Sequence, residues 1–260
     1  MTPSYSIVIP ARYGSSRFPG KPLFKLAGRE LLLHVVDRAR ESGAEDIVVA
    51  TDDERIAARC KAEDVDVQMT AASHPSGTDR IAEVADARGW EGSRLIVGLQ
   101  GDEPMTEPAH LDQLAANLAA HAEAQMATLS VPVASMEDYR NPNRVKVVTD
   151  SRGLALYFSR SPIPFVRDRQ DDDTTAILAH ARIHLGIYAY RRRFLEVYRS
   201  LTATELESLE QLEQLRVLCH GYRIHVGEIA AAAPAGVDHP DDVASVEKAL
   251  RLRPAGKDQA

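Results

Sequence analysis

Residues 6–23, SIVIPARYGSSRFPGKPL, decide the fold. Ile7, Val8 and Ile9 are consecutive apolar β-formers closed by Pro10, the pattern of a parallel strand buried on both faces. Gly14, Ser15, Ser16 and Gly20 follow, residues that let backbone approach a ligand closely. Arg12, Arg17 and Lys21 are interleaved with them, and no acid stands between Ala11 and Pro22. In a chain of net charge -7, a cationic loop at the carboxyl end of a strand points to a polyanion, most simply a nucleotide triphosphate. It is neither of two familiar phosphate loops. Five residues separate Gly14 from Gly20 and Pro22 follows Lys21, whereas a Walker loop needs four and then Ser or Thr; GxGxxG is absent too. The plain alternative is a solvated basic loop.

Outward from this loop, strand and helix alternate. Residues 30–40 carry Leu31, Leu32, Val35, Val36 and Ala39 at helical spacing before Gly43. Residues 47–50 form a second buried strand, 54–63 a short helix with acids suited to its dipole, and 65–69 a weak third strand. In HPSGTDR, residues 74–80, Ser76 and Asp79 have capping-box spacing. The free N–H groups of the same turn could also hold a base edge or a carboxylate, with Arg80 one turn on. Residues 95–99 are the next buried strand, ending in Gln100-Gly101-Asp102-Glu103-Pro104. Asp102 reads either as a turn former or as a carboxylate holding Mg2+ opposite bound phosphates. Pro108 opens a helix with Leu111, Leu114 and Leu118 on one face.

From Met126 the texture becomes antiparallel: strands at 127–133, 145–149 and 154–159, the last two joined by a hairpin-like turn at 150–153. Residues 160–169, with the acids at 171–173, read as an exposed mobile segment. His184 starts a strand over 184–190, so its i, i+4 spacing from His180 does not make a helical zinc pair. Residues 205–219 read as one strong helix with Leu206, Leu209, Leu212, Leu215 and Leu218 at i+3 steps; Glu213 and Gln214 flank that stripe as surface residues. Another strand covers 223–229, and Asp238 is an N-cap candidate for a last helix that has Pro240 near its first turn.

Composition bounds the rest. At 260 residues, with 44% hydrophobic and 27% charged residues, the chain is an ordinary globular α/β protein. It has no apolar run of about 18 residues and no basic start followed by a long apolar region, which predicts a cytoplasmic protein. Cys60 and Cys219 stand far apart, which predicts reduced thiols. The mild acidity argues against a nucleic-acid surface.

PARYGSSRFPGKPL, HPSGTDR, LQGDEP, RSPIPF, HLGIYAY, LEQLRVL and GVDHPDD, in this order over nearly the whole chain, closely resemble the 3-deoxy-manno-octulosonate cytidylyltransferases, the CMP-Kdo synthetases. Phe18 stands where Leu is usual in that family, and residues 168–181 match it poorly. The resemblance implies a three-layer α/β/α sandwich with a mostly parallel sheet, of the nucleotide-diphospho-sugar transferase type, and a smaller antiparallel subdomain. Residues 1–253 would form the domain, with dimerisation and sugar binding around 126–200 and a disordered tail at 254–260.

The implied activity is transfer of CMP from CTP to the anomeric hydroxyl of Kdo, with Mg2+, by a homodimer. Arg12, Lys21 and the backbone of Gly14, Ser15 and Ser16, with Arg17, would hold phosphates. His74, Ser76 and Gly77 would lie near cytosine or ribose. Asp102 and Asp238 would carry the metal, with Lys21, Arg12 and Asp102 as the catalytic set. Arg80, Gln100, Arg160, His184, Tyr188, Glu213 and Gln214 would line the sugar pocket. Another acidic sugar, the 8-amino analogue of Kdo or a sialic acid, is the rival substrate, and a nucleotide-sensing module without catalysis is the rival class.

Overall fold

The computed structural model describes residues 3–14, 18–167, 174–231 and 236–252. Ser15, Ser16 and Arg17, the acids at 171–173 and the tail at 254–260 lie outside the described residues. The chain divides into two compact units, one within Ser4–Trp90, Gly98–Asp112 and Ala233–Ala260, the other within Met1–Pro3, Glu91–Val97 and Gln113–Ala232.

In the first unit, the strand Tyr5–Ala11 is buried throughout and pairs in parallel with Asp46–Thr51, which pairs in parallel with Val67–Met69. Pro10 does not close the first strand: it lies within it, opposite Ala50. Helix Leu31–Arg40 buries Leu31, Leu32, Val35, Val36 and Ala39. Asp53 caps Glu54–Lys61 by accepting from the backbone of Arg55 and Ile56, and Ser76 caps Gly77–Ala87 by accepting from that of Asp79. The last helix, Val243–Leu252, is docked by Val246 against Leu26, Leu31, Met105 and Val237. A small antiparallel pair, Lys25–Leu26 with Arg29–Glu30, precedes the first helix.

In the second unit, Met126–Pro132 lies between Ile224–Glu228, parallel to it, and Arg182–Arg191, antiparallel to it. The latter also pairs antiparallel with Lys146–Thr149, which forms a hairpin with Ala155–Ser159. Gly153 turns that hairpin at φ +75, where a side chain would be strained. Helix Pro108–Ala120 begins in the first unit and continues into the second, with Leu111, Leu114 and Leu118 fully buried. Helices Met136–Arg140, Thr175–His180 and Arg192–Ser200 have no counterpart in the sequence reading.

Two further expectations of the fold are corrected. The single helix over 205–219 is two, Glu205–Glu210 and Gln214–Cys219, broken where Gln211 turns left-handed at φ 53. The break lets Leu212 and Leu215 go inside while Leu206 and Leu209 stay exposed. Glu207 holds the pieces: it completes a capping box with Thr204 and forms a two-pronged ion pair with Arg216. Asp238 is not the N-cap of the last helical segment. Asp242 reaches back to accept from the backbone N–H of Asp238 (2.9 Å) and His239 (2.7 Å), so the Asp238 carboxylate can turn elsewhere.

Candidate active site

Lys21 stands in the single turn Lys21–Leu23 at the end of the basic loop, buried to 8% exposure. Its Nζ lies 2.5 Å from Asp102 Oδ2 and 3.5 Å from Asp238 Oδ1. Three segments far apart in sequence therefore meet at one ammonium. Gly101 and Gly236 make this approach possible. A Cβ on Gly101 would sit 2.9 Å from the Pro10 carbonyl oxygen, and one on Gly236 would sit 2.4 Å from the Asp102 carbonyl oxygen. The Val237 N–H donates to that Asp102 oxygen at 2.9 Å, pinning Asp238 beside the strand end.

Glu103, next to Asp102, is a third carboxyl here. Burial, with Asp102 and Asp238 adding to it and Lys21 opposing, pushes Glu103 up to about 7. Its signal in the sequence was only its place next to Asp102. A Cβ on Gly236 would lie 2.9 Å from Glu103 Cδ. The donor set fits a hard divalent cation: Asp102 and Asp238 offer carboxylate oxygens toward a common point, and Mg2+ usually takes one or two carboxylates and completes its shell with phosphate oxygens and water. Among the described residues no group of three or more His, Cys, Asp or Glu side chains could hold a metal.

The neighbouring loops belong to the same unit. Arg12 Nη2 donates to the Pro75 carbonyl at 3.4 Å, linking the basic loop to the turn before helix Gly77–Ala87. A Cβ on Gly14 would meet nothing within 4 Å. Gly20, at φ +74, is covered by the Tyr13 ring, and the Arg55 guanidinium lies 3.4 Å over that ring. In the following turn, His74 Nε2 pairs with Glu83, whose carboxylate also accepts from the Ala71 N–H at 2.9 Å. Burial pushes Glu83 up, but these two partners outweigh it and hold it below the usual carboxylate range. Ser76 donates to Asp79 Oδ2 at 2.6 Å, Gly77 lies near Pro10 and Gln100, and Gln100 is exposed. Arg80 is fully buried instead, donating to Thr70 Oγ1 and, at 3.2 Å, to Asp52 Oδ2.

The second unit gathers most of the remaining candidates. His184 Nε2 is 3.1 Å from Thr128 Oγ1, and its ring meets Phe158 edge-on at 5.0 Å and Tyr188 at 5.4 Å. Burial pushes His184 down to about 3, so it is neutral near pH 7. Tyr188 is pushed well up by burial, helped by Tyr190 and by the charge of Glu213, so it keeps its O–H. Glu213 is exposed and accepts from Tyr198 at 3.4 Å. Gln214, expected at the surface, is 6% exposed, and its buried Nε2 makes no hydrogen bond. Arg160 lies on backbone: its guanidinium donates to the carbonyls of Glu210 (2.6 Å), Pro142 (3.0 Å) and Gln211 (3.4 Å).

Known proteins match this chain along most of its length. The family model described as Cytidylyltransferase matches residues 6–224. A 3-deoxy-manno-octulosonate cytidylyltransferase of Pseudomonas syringae pv. tomato is 50% identical over 253 residues, covering 96% of this chain and 99% of its own. The protein of the same name from Alkalilimnicola ehrlichii is 49% identical over 252 residues, covering 96% and 97%. Among solved structures, CMP:2-keto-3-deoxy-manno-octonic acid synthetase complexed with CTP superposes with a TM-score of 0.86 at 40% identity, covering 95% of this chain and 99% of that one. With a family model spanning most of its residues and relatives near half identical end to end, the chain belongs to the cytidylyltransferase family.

Proposed function

We propose that this chain is an enzyme that transfers CMP from CTP to the anomeric hydroxyl of Kdo, giving CMP-Kdo and pyrophosphate. The observation that carries the reading is the convergence of Lys21, Asp102 and Asp238, a cation and two hard carboxylates at the end of the basic loop. The full-length relatives named for this activity, and the solved synthetase complexed with CTP, support it.

Phosphoryl-type transfer asks a protein for in-line positioning and charge neutralisation rather than for covalent chemistry. Arg12, Lys21 and the 14–17 stretch are assigned to the triphosphate, and His74, Ser76 and Gly77 to the nucleoside. Lys21, prepaired with two carboxylates, exchanges them for phosphate oxygens when CTP arrives and neutralises charge developing toward pyrophosphate. Asp102 and Asp238 would hold Mg2+, which would supply charge to polarise phosphate oxygens and to make the attacking hydroxyl more acidic.

The sugar, itself an anion, is assigned to Arg160, His184, Tyr188, Glu213 and Gln214, with Gln100. The Arg160 partners are neutral carbonyls, which a carboxylate outcompetes because a bidentate charge-assisted pair is stronger. Neutral His184, Tyr188 as an O–H donor and the unpaired amide of Gln214 suit sugar hydroxyls. Arg80, enclosed with Asp52 and Thr70, is assigned to holding those residues in place rather than to ligand. We assign the working form to a homodimer, which the exposed Leu156, Phe165 and Leu209 support, and its compartment to the cytoplasm, which the two free cysteines support.

The test is pyrophosphate release on mixing the protein with Mg2+, each of the four nucleotides and several sugar acids. Release with CTP and Kdo above all other pairs is expected. Preference for another sugar acid, or CTP binding without release, would overturn the reading.

A further inference from the structure

Beneath Arg160 lies a charged frame that this chemistry does not use. Lys146 is fully buried, and its ammonium donates to the carbonyls of Asn141 and Arg160, each at 2.8 Å. The Glu210 carboxylate accepts from Ser159 Oγ at 2.6 Å, from the Arg160 N–H at 2.9 Å and from the Tyr157 hydroxyl at 3.2 Å. Arg160 in turn grips the Glu210 carbonyl at 2.6 Å. Strand Ala155–Ser159, the turn at 141–142 and the break between Glu205–Glu210 and Gln214–Cys219 are thereby tied to one buried cation and one carboxylate.

Enclosing the Lys146 ammonium is expensive, and a buried charge is best attested as a device that fixes one register rather than one that adds stability. Lys146 and Glu210 both hold the backbone of Arg160, where register matters. Only the left-handed Gln211, Leu212 and Glu213 separate Glu210 from Gln214, so fixing Glu210 against Arg160 also fixes where Glu213 and Gln214 stand. Lys146 supports the same backbone from the far side through the Arg160 carbonyl.

We propose that Lys146 and Glu210 are positioning residues for the acidic sugar: they lock Arg160 and the Glu213–Gln214 pair into one frame, so that the groups meeting the sugar's carboxylate and hydroxyls keep a fixed spacing. This rests on the assignment of those residues to Kdo above.

The full-length Glu210→Gln protein tests it, since the amide keeps the volume and removes the charge; Lys146→Met is the companion. The KM for Kdo should rise by about tenfold or more, as loss of a charge-assisted bond at a binding arginine implies, with the KM for CTP within about twofold of wild type. Hydrogen exchange should quicken at 141–142, 159–161 and 210–214 and stay unchanged in Tyr5–Ala11. An unchanged KM for Kdo, a parallel rise in both KM values, or faster exchange throughout the chain would each overturn the positioning role. Should Lys146→Met fail to fold, Glu210→Gln alone decides. A wild-type protein inactive with Kdo would remove the functional reading and this role with it, while exchange quickened only at the three segments would still establish the frame.

Discussion

Replacing Lys21 by Ala removes an ammonium that contacts both Asp102 and Asp238. At an effective dielectric of about 20, the 2.5 Å contact with Asp102 is worth about 6.6 kcal/mol of gross attraction. The 3.5 Å contact with Asp238, whose side chain is 56% exposed, is screened to less than about 1 kcal/mol. Most of the gross term offsets the desolvation of Lys21 and is not net stability. The catalytic loss is that of one preorganised donor, about 2.7 to 4 kcal/mol in the barrier, so kcat should fall about 100- to 1,000-fold. Both carboxylates remain and lose their resident cation, so half-saturation with Mg2+ should not rise. Pyrophosphate release at saturating CTP and Kdo, with a Mg2+ titration alongside, measures both quantities. Turnover within about twofold of wild type, against the loss expected of such a donor, would refute the role given to Lys21.

Other perturbations probe the rest of the structure. Asp102→Asn and Asp238→Asn should each raise the half-saturating Mg2+ concentration about tenfold, equivalent to about 1.4 kcal/mol; an unchanged titration in both would dispose of the two-aspartate site. Gly236→Ala places a Cβ 2.4 Å from the Asp102 carbonyl oxygen and should cost about 1 to 3 kcal/mol by overpacking, read as a lower urea midpoint together with lower activity. His225 is 7% exposed and stacks on His121 at 3.7 Å. Burial, then His121, pushes it from 6.5 down to about 4. The folded chain therefore binds fewer protons there than the unfolded chain, and the stability this contributes is present above about pH 6.5 and lost as pH falls toward 4. Between pH 7 and pH 5 His225 should account for about 2 kcal/mol of lost stability. Urea midpoints at the two pH values should fall less in His225→Gln than in wild type, and equal falls would refute it.

Hydrophobic periodicity and turn chemistry are local properties, and what depends on them was legible in the sequence. The apolar runs became the strands Tyr5–Ala11, Asp46–Thr51 and Leu95–Gly98. Ser76 caps its helix as its spacing from Asp79 implied. Position after a strand singled out Lys21 and Asp102, because a buried parallel strand leaves its carboxyl end to a loop. Glu213 and Gln214 entered only through family resemblance, since a leucine stripe at i+3 steps looks the same whether or not Gln211 breaks it.

Tertiary structure decided what depends on residues far apart. It placed Asp238 beside Lys21 while His239 took the N-cap position and Asp242 accepted from the backbone of both, enclosed Arg80 with Asp52, and set Lys146 and Glu210 around Arg160. Whether a charged side chain faces water, substrate or a buried partner is set by packing between distant segments, and no local pattern of residue types records it. The sequence by itself thus determined the α/β alternation and the place of the cationic loop after the first strand, while only the folded chain brought Lys21, Asp102 and Asp238 together and enclosed Arg80.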